Sequence, residues 1–219
     1  MNKVGILTIG QSPRSDITPT FKEFFHDNIE FVERGALDSL KEAELLKVIA
    51  KKEKNIYVSR LHDGRSIIIS KRELLPLLQH ELSKLEREVD MVIILSTGDF
   101  PTLTCEKPIF YPGRIVTQVI AAMADQPKIG LIVPLEEQRR ITINKWKGVT
   151  NDITVAVASP YDYANFKEAA RYLKDYQVDL IILNSMGYNE EHKQLVRKES
   201  GIFTILPRTL IARVVLEYL

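Results

Sequence analysis

The sequence predicts an α/β fold with parallel sheets in two related halves. Short apolar runs alternate with longer amphipathic stretches, as in βαβ units whose strands are covered on both faces. One residue pattern recurs in the same register in both halves. A hydrophobic content of 45% over 219 residues is also enough to bury a substantial core.

Six runs rich in Val, Ile and Leu, at residues 4–9, 91–95, 129–133, 153–157, 180–183 and 202–206, are predicted strands. Between them, Leu74, Leu78, Leu82, Leu85 and Val89 fall on one helical face. Ile115, Val119, Ile120 and Met123 repeat the pattern, and so do Phe166, Ala169, Ala170 and Leu173. Ser39 with Glu42 has capping-box spacing and predicts a helix from about Leu40 through Leu45, Leu46 and Ile49. Gly201 is placed to end a helix, and Leu210, Ile211, Val214, Val215 and Leu219 predict a closing amphipathic helix after Pro207. Residues 56–60 and 66–70 are β-rich arms around Asp63-Gly64, which predicts a hairpin decorating the edge of the first half.

The recurring pattern is the most informative feature. Val89-Asp90 precedes five apolar residues and Ser96-Thr97-Gly98, while Val178-Asp179 precedes residues 180–184 and Ser185-Met186-Gly187. A second echo pairs Lys3-Val4-Gly5-Ile6-Leu7 with Lys128-Ile129-Gly130-Leu131-Ile132. Ligands of open parallel sheets bind beyond the carboxyl ends of the strands. Each Ser-x-Gly stands at such an end, where glycine permits close backbone approach and free N–H groups can meet an anion. The competing reading is that Ser and Gly are common turn residues after buried strands. Recurrence in register favours a shared site.

Composition narrows the function classes. Thirty basic against 29 acidic residues give a net charge of +1, so no global field draws the chain to nucleic acid or an anionic membrane. A single cysteine, Cys105, excludes an internal disulfide framework and a multi-thiolate zinc site, and it fits a cytoplasmic address. The four histidines, His26, His62, His80 and His192, lack ligand spacing, so no metal is expected. Neither nucleotide-binding glycine motif occurs, so no cofactor is expected. No apolar run approaches the ~20 residues of a membrane span, and none is expected to be cleaved as a signal.

Leu7-Thr8-Ile9-Gly10-Gln11-Ser12-Pro13-Arg14, Ser96-Thr97, Pro108-Ile109-Phe110 with Arg114, Val133-Pro134-Leu135-Glu136-Glu137, Gly187-Tyr188 with His192, and Leu210-Ile211-Ala212-Arg213 occur in an order that resembles the AroM family over nearly the whole chain. That family is similar, more distantly, to the aspartate/glutamate/hydantoin racemase superfamily. The resemblance implies two pseudo-symmetric α/β lobes with substrate between them, the hairpin being an insertion in the first. It also admits a homodimer, because superfamily members often pair. In the racemases a cysteine follows the corresponding strand of each lobe, and those positions correspond here to Ser96 and Ser185. A thiol with a pKa of about 8.5 yields a thiolate readily, whereas a serine hydroxyl needs an adjacent base. Two-cysteine racemisation is therefore not expected of this chain.

Lobe boundaries are expected at residues 1–95 plus 207–219 and at 96–206. Arg14, just beyond the first strand, could clamp a carboxylate through two parallel hydrogen bonds, with Gln11 and Ser12 as neutral donors on the same rim. Alternatively, Arg14 shapes a solvent-facing turn. Ser96, Thr97, Gly98, Ser185, Asn184, Gly187 and Tyr188 complete the expected carboxylate site. Asp99 and His192 are the acid/base candidates on the two rims, although His192 stands in a polar helix start that also reads as surface. Cys105 is a further nucleophile candidate against its reading as a small buried hydrophobe. Glu136 and Glu137 read equally as first-turn residues complementing a helix dipole. Two functions follow: a racemase-like isomerase or lyase acting on a small carboxylic acid without the cysteine pair, or a non-catalytic binder or sensor of a small anion.

Overall fold

A computed structural model describes residues 2–25, 29–49, 56–123 and 125–219, so His26 lies outside the described residues. The chain divides into two units, residues 1–112 with 215–219, and residues 113–214. The six predicted strands all form, with ends shifted by up to two residues.

In the first unit the strands are β1 (Asn2–Thr8), β2 (Ile29–Gly35), β5 (Met91–Ile94) and β6 (Ile109–Phe110), all parallel in the order β2-β1-β5-β6. Two were not predicted. β2 carries Glu30, Glu33 and Arg34 on a half-buried edge strand, so it has no unbroken apolar run to read. β6 is two residues long, and its pairing with β5 extends this unit past residue 95 to Pro112. Helices α1 (Thr18–Phe25), α2 (Glu42–Val48) and α3 (Lys71–Leu85) complete it. Leu74, Leu78, Leu82 and Leu85 are fully buried on α3, within the unit's core. The capping box lies two residues beyond Ser39: the Glu44 carboxylate accepts the Lys41 N–H at 2.9 Å, while Glu42 pairs with Arg65.

Strands β3 (Ile56–Arg60) and β4 (Ser66–Ser70) make the predicted hairpin as a separate two-stranded antiparallel sheet, with Gly64 in the turn at φ +85°. It forms its own sheet and adds no strand to the parallel one. Period-two alternation buries Tyr57 and Ser59, which lie against Gly98 and Gly10, the loops that follow β5 and β1.

The second unit holds β7 (Ile129–Val133), β8 (Ile153–Val157), β9 (Leu180–Leu183) and β10 (Phe203–Ile205), all parallel in the order β10-β9-β7-β8. Read from the other edge, this is the topology of the first sheet. Its helices are α4 (Pro112–Met123), α5 (Arg139–Trp146), α6 (Tyr163–Asp175), α7 (Glu190–Ser200) and α8 (Pro207–Leu216). Phe166, Ala169, Ala170 and Leu173 bury as predicted, and Gly201 closes α7 at φ +74°. Two helix faces are rotated from expectation. On α4 the buried positions are Pro112, Gly113, Val116, Thr117 and Ile120, with Met123 63% exposed, and the Thr117 hydroxyl donates to the Gly113 and Arg114 carbonyls. On α8 they are Pro207, Arg208, Thr209, Ile211, Ala212 and Val215, which puts an arginine among the buried positions.

Both sequence echoes have a packing cause. A Cβ at Gly5 would lie 2.9 Å from Leu85 Cδ2 and 3.1 Å from Val89 Cγ2, and one at Gly130 would lie 2.9 Å from Val178 Cγ2 and 3.1 Å from Leu173 Cδ1. Each glycine makes room for the helix that leads into the next strand. No helix among the described residues is long and apolar enough to cross a membrane.

Candidate functional site

The two Ser-x-Gly loops are built alike. After β5, the Leu95 N–H donates to the Leu7 carbonyl, the Ser96 N–H to Ile94, and the Gly98 N–H to Ser96 Oγ at 3.1 Å. After β9, the Asn184 N–H donates to Ile132, the Ser185 N–H to Leu183, and the Gly187 N–H to Ser185 Oγ, again at 3.1 Å. Each serine oxygen thus accepts from the glycine two residues on, leaving its own O–H to donate. Among the described residues neither hydroxyl donates to a protein acceptor. Ser96 is 9% exposed and Ser185 is half-buried.

The surroundings of the two loops differ. A Cβ on Gly98 would lie 2.7 Å from Tyr57 Cε1, whereas one on Gly187 would meet nothing closer than 3.5 Å. Tyr57 stacks on Phe100 at 4.6 Å, and its hydroxyl donates to the Asp99 carbonyl, which also accepts from Lys71 Nζ. Burial pushes the Tyr57 hydroxyl well above the ordinary tyrosine range. The Asp99 side chain itself is exposed, and Thr97 is half-buried.

On the first-strand rim, Arg14 is 9% exposed rather than solvent-facing. Its Nε and Nη2 donate to the two oxygens of Asp16 at 2.8 and 2.9 Å, so the fork that would clamp a ligand carboxylate holds one from its own chain. Ser12 gives both its N–H and its hydroxyl to Asp38, and Gln11 Oε1 accepts the His62 N–H. Ser12 ties the rim to the turn after β2, and Gln11 ties it to the hairpin. Asp38, unmarked in the sequence, also accepts the Gly35 N–H.

His192 is buried, not on the surface. Its Nδ1 accepts the Asn189 N–H at 3.0 Å and its Nε2 lies 3.0 Å from the Pro160 carbonyl, which assigns the proton to Nε2. The ring packs against Tyr163 and Phe166 at centroid distances of 4.9 and 4.5 Å, and burial first, with the Arg208 charge contributing, lowers its pKa. Both ring nitrogens are therefore committed. Tyr188 is fully buried with its hydroxyl on the Ala158 carbonyl, and Asn184 Nδ2 reaches Thr142 Oγ1 at 3.4 Å.

Cys105 packs half-buried on the first unit's core, and burial, with the neighbouring Glu86 carboxylate, pushes its thiol pKa up. A raised pKa is the opposite of nucleophile activation. Glu136 and Glu137 open a 3₁₀ turn, with Glu136 paired to Arg139. Among the described residues no group of three His, Cys, Asp or Glu side chains could hold a metal ion.

Arg208 was not anticipated. It is 2% exposed, and its Nε and Nη2 donate to the Met186 carbonyl at 2.9 and 2.7 Å, inside the second Ser-x-Gly loop. The signal was its place three residues before the buried Ile211.

This arrangement is that of the Asp/Glu racemase-like fold. The chain is similar to glutamate racemase from Aquifex pyrophilus at 12% identity and a TM-score of 0.58, covering 99% of this chain and 84% of that one. It is similar to allantoin racemase from Klebsiella pneumoniae at 13% identity and a TM-score of 0.60, covering 100% and 87%. It is also similar to the maleate isomerase Iso from Pseudomonas putida S16 at 9% identity and a TM-score of 0.61, covering 99% and 92%. No curated protein matches the sequence. The AroM protein family model matches residues 4–219, and the chain belongs to the AroM family.

Proposed function

We propose that this protein binds a small carboxylate-containing metabolite, with the Ser96 and Ser185 hydroxyls as donors. One observation carries the reading: in both loops the serine oxygen is already satisfied by a glycine N–H, so its remaining polar valence is an O–H suited to an anionic acceptor. The room at Gly187, where an added Cβ would make only ordinary van der Waals contacts, supports it. So do the names of the similar structures, which act on glutamate, allantoin and maleate.

Binding without carbon-acid chemistry fits the residues best. Among the described residues neither serine donates to a base, both His192 nitrogens are engaged, and the Cys105 pKa is pushed up, away from a thiolate. Calorimetric titration with amino acids, malonates and dicarboxylates tests the reading. At least one class should bind, and Ser96→Ala and Ser185→Ala should each weaken it about tenfold or more, the worth of a hydrogen bond to a charged group. Gly187→Ala should weaken binding while leaving thermal stability unchanged. Absence of binding across all three classes, or binding indifferent to both serines, would sink the proposal. Proton NMR in D₂O then separates binder from enzyme: a bound acid that exchanges its α-proton or changes composition establishes catalysis.

A further inference from the structure

We infer that Arg208 is a positioning residue for the Ser185 hydroxyl, acting through the single peptide plane between Met186 and Gly187. Its relevance to a ligand rests on the carboxylate reading above; the relay itself does not. The Met186 carbonyl accepts from Arg208 Nε and Nη2 at 2.9 and 2.7 Å, and the N–H on the opposite side of that peptide donates to Ser185 Oγ at 3.1 Å. The peptide is planar and trans, so fixing its oxygen fixes the direction of its N–H. A peptide free to rotate about its flanking bonds would let that N–H swing off the serine and the hydroxyl turn with it.

The relay is electronic as well as geometric. A guanidinium is permanently charged, and hydrogen bonds from charged donors are about twice as strong as neutral ones. Hydrogen bonds in a chain polarise one another, most strongly where the surroundings are dry. Arg208 is 2% exposed and Met186 3% exposed. The charge on the Met186 oxygen strengthens the Gly187 N–H as a donor, and the N–H in turn strengthens the Ser185 O–H. A buried arginine thus lends positive character to a half-buried neutral hydroxyl, without itself standing at the surface.

The fold explains why this arginine can reach. Leu206-Pro207-Arg208 follows β10 as Tyr111-Pro112-Gly113 follows β6, with Pro207 and Pro112 each opening a helix two residues after the strand. The position matching Arg208 after β6 is Gly113, which has no side chain to offer. The Gly98 amide is accordingly an internal control for the Gly187 amide.

The test is amide hydrogen exchange and ¹H–¹⁵N NMR on the full chain, comparing wild type with Arg208→Lys. Lysine keeps the charge but loses the fork. The Gly187 amide should move upfield and exchange about threefold to tenfold faster relative to the Val196 amide in the same unit's core, as expected for weakening one hydrogen bond. Gly98 should not move. A Gly187 amide that neither shifts nor exchanges faster overturns the relay. If the lysine variant loses its folded spectrum, the wild type still decides: a scalar coupling from Arg208 Nε to the Met186 carbonyl carbon should be present, and its absence overturns the inference.

A double-mutant cycle with malonate as probe supplies the functional arm. Arg208→Lys should weaken malonate binding several-fold when Ser185 is present and not at all in the Ser185→Ala background. An equal loss in both backgrounds means that Arg208 acts by another route and overturns the positioning role. If malonate does not bind the wild type, the amide measurements decide the relay and the carboxylate reading is what that arm calls into question.

Discussion

Lys128 and Asp179 exchange two hydrogen bonds: the Asp179 carboxylate accepts the Lys128 N–H at 2.9 Å, and the Lys128 carbonyl accepts the Asp179 N–H at 2.8 Å. Lys3 and Asp90 make the same exchange at 2.8 and 2.9 Å in the other half. This is why aspartate stands before each apolar run: it latches the start of one central strand to the approach of its neighbour and fixes their register.

Replacing Asp179 with Ala should cost about 1 kcal/mol by urea unfolding, because the orphaned N–H is exposed and water replaces the carboxylate. Asp90→Ala should cost the same, and the double variant should be additive within about 0.5 kcal/mol, since the latches share no partner. A loss of core-cavity size at either position would show that the latch does more than close one hydrogen bond.

Gly5→Ala and Gly130→Ala should each destabilise by about 1–3 kcal/mol through overpacking against buried leucine and valine side chains. Thermal unfolding reads the effect. Combining Gly5→Ala with Leu85→Val, which removes one carbon from the clash, should recover part of the loss; no recovery would place the strain elsewhere.

Gly98→Ala and Gly187→Ala should part company despite their matching positions. The ring that a Cβ at Gly98 would strike is held by the Phe100 stack and by its own hydroxyl bond, so it cannot yield cheaply, and a cost of about 1–3 kcal/mol is expected. Gly187→Ala should stay within about 0.5 kcal/mol of wild type. Equal costs would refute the asymmetric role given to the hairpin.

His192 should make stability fall with acidification. Burial lowers its folded pKa below the ordinary 6.5, so the unfolded chain binds this proton more readily than the fold does. Its contribution is whole above pH 6.5 and is lost as pH drops below that value, until the folded ring itself protonates. His192→Phe should be less stable at neutral pH, where the Asn189 N–H loses its acceptor, yet show a shallower decline in melting temperature between about pH 7 and 5. Parallel declines would assign the acid sensitivity to other groups.

The sequence by itself determined the α/β class, the six long strands, the hairpin and the in-register serines. Each of these rests on local signals: runs of β-branched residues, a period of two or 3.6, or an Asp-Gly turn. It missed β2, whose charges ride a half-buried edge, and β6, which exists only by pairing with β5. Tertiary structure alone decided what the polar residues do. Arg14, Ser12 and His192 carry the right chemistry for a ligand but spend it on Asp16, Asp38, Asn189 and Pro160. Arg208 reads as an ordinary charged residue at a helix start until the helix turns it inward onto the Met186 carbonyl. A hydrogen-bond partner far off in sequence leaves no periodic trace. Burial follows from composition and spacing, whereas which donor meets which acceptor is fixed only when the chain has closed upon itself.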